Sequence, residues 1–392
     1  MRRIVLLLVA LLLSSAVQAS GLFVAGDMVE VTGGALNLRD APSTGQIVWT
    51  MPEGTQMEVI GGPVEQAGYT WWHLSGHDHS GWASEHRLKG RLVERTAHTA
   101  NDVDFHMRLA PAATFPTERD DSGRATVDTA FWIAETEVTY GLWYVVYHWA
   151  LRKEYTFANS GMEGSTSSGG IYPYYDDIGN EPTSKRNEPV TMVSWKDSIV
   201  WCNALSEMLG FDPVYTHNQA VIRDATNRTA CDNAVQEKTN GFRLPTSNEW
   251  ELAARYKGND GSHGAIAIGG MYWTPGSYAS GATANTSNSS ATQAVAWYNA
   301  NSGGRTREVA TLSPNAIGVY DMSGNVWEWC FSHYTTQGWS GRVLRGGSWY
   351  DSNRFPELQV GRVSCNSSGA RIANVPMGVG GSYGLRPVRT AL

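Results

Sequence analysis

Four cysteines, three closely spaced histidines and a short run of charged side chains near the C-terminus are the residues whose types could do chemistry in this 392-residue chain. Cys202, Cys231, Cys330 and Cys365 make an even number, which in an exported chain points to disulfides with three possible connectivities; the pairing we expect is Cys202 with Cys231 and Cys330 with Cys365. No CxxC pair or Cys/His cluster has the spacing of a structural zinc site. His73, His77 and His79 could reach one metal ion, but they fall in a Gly/Ser/Asp loop without a carboxylate at ligand distance and read as solvated. Asp351, Arg354, Glu357 and Arg362 are the converging polar groups an enzyme would have to use.

The elements that hold these residues follow from patterning. Met1-Arg2-Arg3, the apolar run Ile4 to Leu13 and the small residues to Ala19 form an export leader, residues 1–19, cleaved after Ala19. That run is too short for a membrane helix, no other stretch is longer, and no cysteine follows the cleavage site to carry a lipid. The mature chain is therefore expected to be soluble and secreted, periplasmic or associated with the envelope. Its roughly 370 residues imply two domains. Loss of Arg2 and Arg3 makes the formal charge two units more negative than −7, which excludes a nucleic-acid partner. With 42 glycines, 16 tryptophans and 17 tyrosines the composition is that of an irregular, turn-rich fold with few helices.

Residues 27–90 alternate short β-prone runs with turns, predicting a five-stranded barrel. The runs 36–43 (LNLRDAPS), 68–72 (GYTWW) and 81–83 (GWA) resemble bacterial SH3 domains. Such a resemblance implies a module that grips cell-wall peptides or other envelope ligands, against the plainer possibility of a spacer whose Trp71, Trp72 and Trp82 are core. Residues 91–101 are polar and aperiodic and read as a linker.

In residues 102–392, three helices are announced by their caps: Thr139 before Tyr140 to Ala150, a Ser194/Asp197 capping box before Trp195 to Leu209, and a Thr246/Glu249 box before Ser247 to Tyr256. The rest is short strands and long loops, an α+β domain with much irregular chain. Five ordered motifs, 131–139 (FWIAETEVT), 189–195 (PVTMVSW), 242–246 (FRLPT), 318–329 (GVYDMSGNVWEW) and 342–349 (RVLRGGSW), resemble the formylglycine-generating enzyme, or sulfatase-modifying factor, family. The resemblance implies a variant C-type lectin fold and, for the family's oxidases, copper held by two thiolates three and eight residues after the serine of the Arg-Gly-Gly-Ser motif. Counting from Ser348, those positions hold Asp351 and Pro356, neither a soft ligand, so no copper is expected. The resemblance also implies a structural Ca²⁺ held by side-chain oxygens of Asp321 and Glu328 and backbone carbonyls of Gly324 and Val326, all hard ligands suited to calcium.

The C-terminal stretch mixes aromatic, polar and small residues without period, as in a binding surface. Trp349, Tyr350, Asp351, Asn353, Arg354, Phe355, Glu357, Gln359, Ser364, Asn366 and Tyr383 are its candidate ligand contacts. The layout is similar to the variable proteins of diversity-generating retroelements, whose displayed surface opens with an Arg-Gly-Gly-Ser-Trp stretch. The expectation is a non-catalytic exported protein that binds an unknown protein or glycan. An enzyme of altered chemistry and an accessory subunit for protein–protein interaction are the alternatives.

Overall fold

The computed structural model describes residues 28–31, 34–84, 88–91, 95–166, 178–336, 339–352, 356–366 and 381–391. The expected leader, residues 1–19, falls outside them. The chain divides into two compact units, Met1–Leu92 and Val93–Leu392.

The first unit is one antiparallel sheet of seven strands: Met28–Val31, Leu36–Arg39, Ile47–Met51, Gln56–Gln66, Tyr69–Gly76, His79–Ser84 and Leu88–Arg91. Two more strands than expected appear, Leu36–Arg39 and Leu88–Arg91. Alternate residues point inward, so Val29, Val31, Leu36, Leu38, Met57, Val59, Trp72 and Leu74 form one core. Trp71 joins the buried residues, while Trp82 stays half-buried. The histidines are not merely solvated. His73 stacks on Trp82 with ring centres 4.8 Å apart, and His79 stacks on Trp49 at 4.5 Å.

The second unit is mostly β with few helices. Tyr140–Leu151, Trp195–Met208 and Ser247–Arg255 are the three helices expected, each opened by the cap read from sequence: Thr139 accepts from the Leu142 N–H, and both Ser/Thr capping boxes close. Gly210, at φ +78°, ends the second helix in the left-handed conformation that glycine tolerates. Shorter helices at Arg228–Asp232 and Ser289–Gln293 add to them. Tryptophans fill the interior: Trp143 and Trp201 stack between the first two helices at 5.7 Å and 4°, and Trp195, Trp250, Trp273 and Trp329 are fully buried.

Two expectations are corrected. Residues 95–100, inside the proposed linker, form the strand Arg95–Ala100, paired along its length with Val103–Ala110 in a four-stranded sheet completed by Phe131–Ala134 and Val388–Thr390. Its Thr-Ala-His-Thr-Ala run lacks apolar alternation, yet the His98 ring stacks on Phe105 and meets the edge of Phe242, and Ala100 is buried. The cysteines, too, are all free thiols. Cys202 and Cys231 are packed in the aromatic core of the first two helices, and Cys330 belongs with Met322 and Val343 to a second core. Cys365 is half-exposed on the strand Ser364–Asn366. Burial pushes the thiols up, to about 12 for Cys231. Apolar packing and buried ion pairs, rather than cross-links, fix the loops.

Candidate functional site

A second four-stranded sheet positions the C-terminal residues. Its order is Ser364–Asn366, Trp339–Arg345, Trp327–Thr336, then Tyr383–Leu385, which returns parallel to Trp327–Trp329. Arg345 ends one strand, and Gly346 and Gly347, at φ +93° and +76°, turn the chain sharply toward Ser348.

Under this turn lie buried charges. Arg345 pairs with Glu251 at 2.6 Å, and Glu251 also holds Arg255. Arg386 forks onto Glu328, with Nη2 2.7 Å from Oε1, and donates to the carbonyls of Ala134 and Tyr320. The indole N–H of Trp250 donates to the other Glu328 oxygen at 2.7 Å. Glu137, fully buried, accepts from the Asn325 side chain and the Val326 N–H, so the first and fourth family motifs are locked together.

Asp321 stands beside this group with φ +56°. One oxygen accepts from the Ala310 N–H at 2.8 Å; Oδ1 is buried with no hydrogen-bond partner. Burial, followed by the neighbouring Glu328, raises its carboxyl to about 6, and burial together with Asp321 and Glu328 pushes Glu137 well above the carboxylate range. Three acidic side chains, Glu137, Asp321 and Glu328, thus surround one guanidinium, and Asp321 keeps a buried oxygen without a hydrogen-bond partner among the described residues. Asp321, the carbonyls of Gly324 and Val326, and Glu328 are hard oxygen donors and the residues that would hold a divalent cation, although both Glu328 oxygens already accept from Arg386 and Trp250. No cluster of three or more His, Cys, Asp or Glu groups suited to a metal occurs among the described residues, so such an ion would depend on the backbone carbonyls.

Ser348 donates its N–H and its hydroxyl to one oxygen of Asp351, each at 2.8 Å. The Asp351 carbonyl accepts from the Asn299 N–H, and the Trp327 indole lies beside the carboxylate. Burial, then Glu357 nearby, raises Asp351 to about 6 despite the two Ser348 bonds that lower it. Pro356 opens the short 3₁₀ turn Pro356–Leu358 and carries no side-chain donor, while Glu357 leaves one buried oxygen without a partner. Neither position can present a thiolate.

The candidate contacts separate into wall and scaffold. Tyr350 is 39% exposed, Asp351 and Glu357 are half-buried, and Asn366 donates to the Tyr383 hydroxyl at 3.0 Å. Trp349, expected on the surface, is 1% exposed: its backbone is tied to Asn325 and Ser302, which turns the indole inward. Tyr383 is likewise buried against Trp329. Gln359 is a brace, accepting from Arg119 and donating to Thr286. Ser364 lies on the sheet opposite Leu344. Asn353, Arg354 and Phe355, with residues 367–380, lie outside the described residues, whereas Arg362 is half-buried with an unpartnered Nε. Sequence reasoning missed Asn299, Ser302 and Trp327 as partners, because each is distant in the chain and carries no spacing signal.

A model of the sulfatase-modifying factor enzyme 1-like domain matches residues 102–391. The chain belongs to the sulfatase-modifying factor family. Among relatives, "Chaperone protein LppX" of Paenibacillus barcinonensis is 31% identical over 245 residues, covering 55% of this chain and 76% of that one. "Inactive C-alpha-formylglycine-generating enzyme 2" of Mus musculus is 32% identical over 153 residues, 38% of this chain and 44% of that one. The solved structure of Treponema denticola variable protein 1 superimposes with a TM-score of 0.55 at 28% identity, over 76% of this chain and 99% of that one. The mostly-β architecture of the second unit is thus that of the family. No helix of the described residues is long and apolar enough to cross a membrane.

Proposed function

We propose that this family member is an exported, non-catalytic binding protein whose ligand sits over Tyr350, Asp351, Glu357 and Asn366. The observation that carries the reading is Asp351: at the position of a copper thiolate, an oxygen ligand is tied down by Ser348, and the second position is Pro356. A relative named as inactive and a structural neighbour named as variable support a scaffold that displays a surface rather than performing oxidation. Calcium, held by Asp321, Gly324, Val326 and Glu328, would neutralise the excess of carboxylates beneath that surface.

The first unit complements this reading as an envelope-targeting module. A cleft of about 360 Å³ lined by Asn37, Arg39, Ser43, Tyr69, Trp71 and Ser84 offers aromatic walls, hydroxyls and one cation, a combination suited to an extended cell-wall peptide.

The test is direct. Purified protein, supplied with Cu(I) and oxygen, is incubated with a cysteine peptide of the sulfatase type, and aldehyde is followed by hydrazide labelling. No aldehyde is expected, and its appearance overturns the reading. In parallel, retention of wall fragments, glycans or partner proteins on immobilised protein is compared with a Tyr350→Ala/Asp351→Ala variant; capture that the double variant keeps would place the ligand elsewhere.

A further inference from the structure

The arginines buried in the second unit have acid partners: Arg108 with Glu135, Arg243 with Glu249, Arg255 and Arg345 with Glu251, and Arg386 with Glu328. Arg342 donates to the carbonyls of Phe331 and Asp232, with the Asp232 carboxylate also acting on it. Arg389 is different. It lies on the edge strand Val388–Thr390, opposite Trp132, with its guanidinium carbon 4.6 Å above the Phe211 ring. Its Nε and Nη1 are buried and have no hydrogen-bond partner among the described residues, and burial lowers its affinity for its proton.

The same Phe211 ring meets His98 edge-on at 5.8 Å, and His98 Nε2 is also buried without a partner. Burial first, then Arg389 and His106, hold His98 down at about 4, so the ring is neutral at pH 7 and carries a single N–H. Glu135, the acid that comes within 4.0 Å of His106, is already committed to Arg108 at 2.6 Å. Arg389 remains partly exposed, which leaves a way in from solvent. Desolvated, unpaired donors are costly unless a charge completes them.

We propose that Arg389 and His98, framed by Phe211 and Trp132, form a binding site for an oxyanion group, separate in sequence and sheet from the surface over Asp351. Arg389 supplies the forked charge-assisted donors, a neutral His98 supplies one further N–H, and the aromatic walls receive the flat or apolar part that carries the anion. A carboxylate of a peptide or acidic sugar and a phosphate or sulfate ester share this chemistry.

The experiment is thermal unfolding of the full chain at pH 7 and constant ionic strength, with chloride exchanged for acetate, phosphate or sulfate. A saturable rise in Tm is expected with at least one anion. It should vanish in Arg389→Gln, with an affinity loss of about tenfold or more, and persist in Arg124→Gln, which removes an exposed arginine elsewhere. General salting effects would act equally on all three proteins. A response to acetate alone identifies a carboxylate ligand; a response to phosphate or sulfate identifies an ester. Arg389 Nε and Nη1 hold no hydrogen bond among the described residues, so Arg389→Gln is expected to fold, and the His98 ring resonances of the wild type, assigned with His98→Gln, give a readout that does not depend on that variant. No Tm response to any anion, an unchanged response in Arg389→Gln, or His98 signals that do not move would overturn the site.

Discussion

One oxygen of Asp351 receives both the backbone N–H and the hydroxyl of Ser348, each at 2.8 Å. Two glycines in the left-handed region deliver Ser348 to that position, so the aspartate acts as the clasp of the turn that follows the Arg345 strand. The carboxylate thus directs this oxygen to its own loop, at the position where counting from the Arg-Gly-Gly-Ser motif led us to expect a thiolate in an oxidase of the family.

That clasp has a pH signature. Folding raises the Asp351 carboxyl from 3.8 to about 6, chiefly by burial. A carboxyl raised on folding holds its proton more tightly in the native state, so its contribution is full below about pH 4 and is lost as pH rises through about 6. Urea unfolding of wild type and Asp351→Asn from pH 4 to 7 should therefore diverge, the wild type losing up to about 3 kcal/mol relative to the variant. Parallel pH profiles would mean that the carboxyl is not desolvated as described.

Gly324 tests the neighbouring turn. Its φ is +87°, and an added Cβ would lie 2.2 Å from the Trp297 carbonyl oxygen, a backbone atom that cannot swing away. Gly324→Ala should cost about 3 kcal/mol or more, combining left-handed strain with overpacking. A denaturation midpoint within error of wild type would show that the Trp297 segment is not seated against the turn.

Calcium is tested where the carboxylates outnumber the guanidinium. Chelation by EDTA should lower Tm and calcium should restore it, by about 3 kcal/mol of stabilisation at a hundredfold excess over Kd. Asp321→Ala should abolish the difference. Identical melting curves with EDTA and with calcium would assign the charge balance to protons on Glu137 and Asp321 instead.

The parts legible in the sequence are those with local causes. Thr139, Ser194 and Thr246 announced their helices because a cap is a contact within four residues, and the order of the five motifs carried the family. What could not be read depended on partners distant in the chain. The strand Arg95–Ala100 has the composition of a linker and becomes a strand because Val103–Ala110 pairs with it and Phe105 and Phe242 receive His98. An even count of cysteines says nothing about whether their thiols meet: Cys202 and Cys231 share one core yet stay free thiols, and Cys330 is buried in another while Cys365 is half-exposed on a strand.

Trp349 and Tyr350, adjacent in a stretch of mixed composition, show the same limit at the site itself and supply its sharpest test. Trp349 is 1% exposed with its amide and carbonyl tied to Asn325 and Ser302, whereas Tyr350 is 39% exposed and meets the indole edge-on at 5.6 Å. Trp349→Ala should remove a large buried side chain and cost about 3–5 kcal/mol. Tyr350→Ala should change stability by about 1 kcal/mol or less, while removing aromatic area from the proposed ligand surface. Measured together, urea stability and retention of the captured ligand should dissociate: the first variant fails in folding, the second in binding. If Tyr350→Ala destabilised the chain as strongly as Trp349→Ala, the tyrosine would be scaffold, and the surface over Asp351 would lose its one exposed aromatic contact among the described candidates.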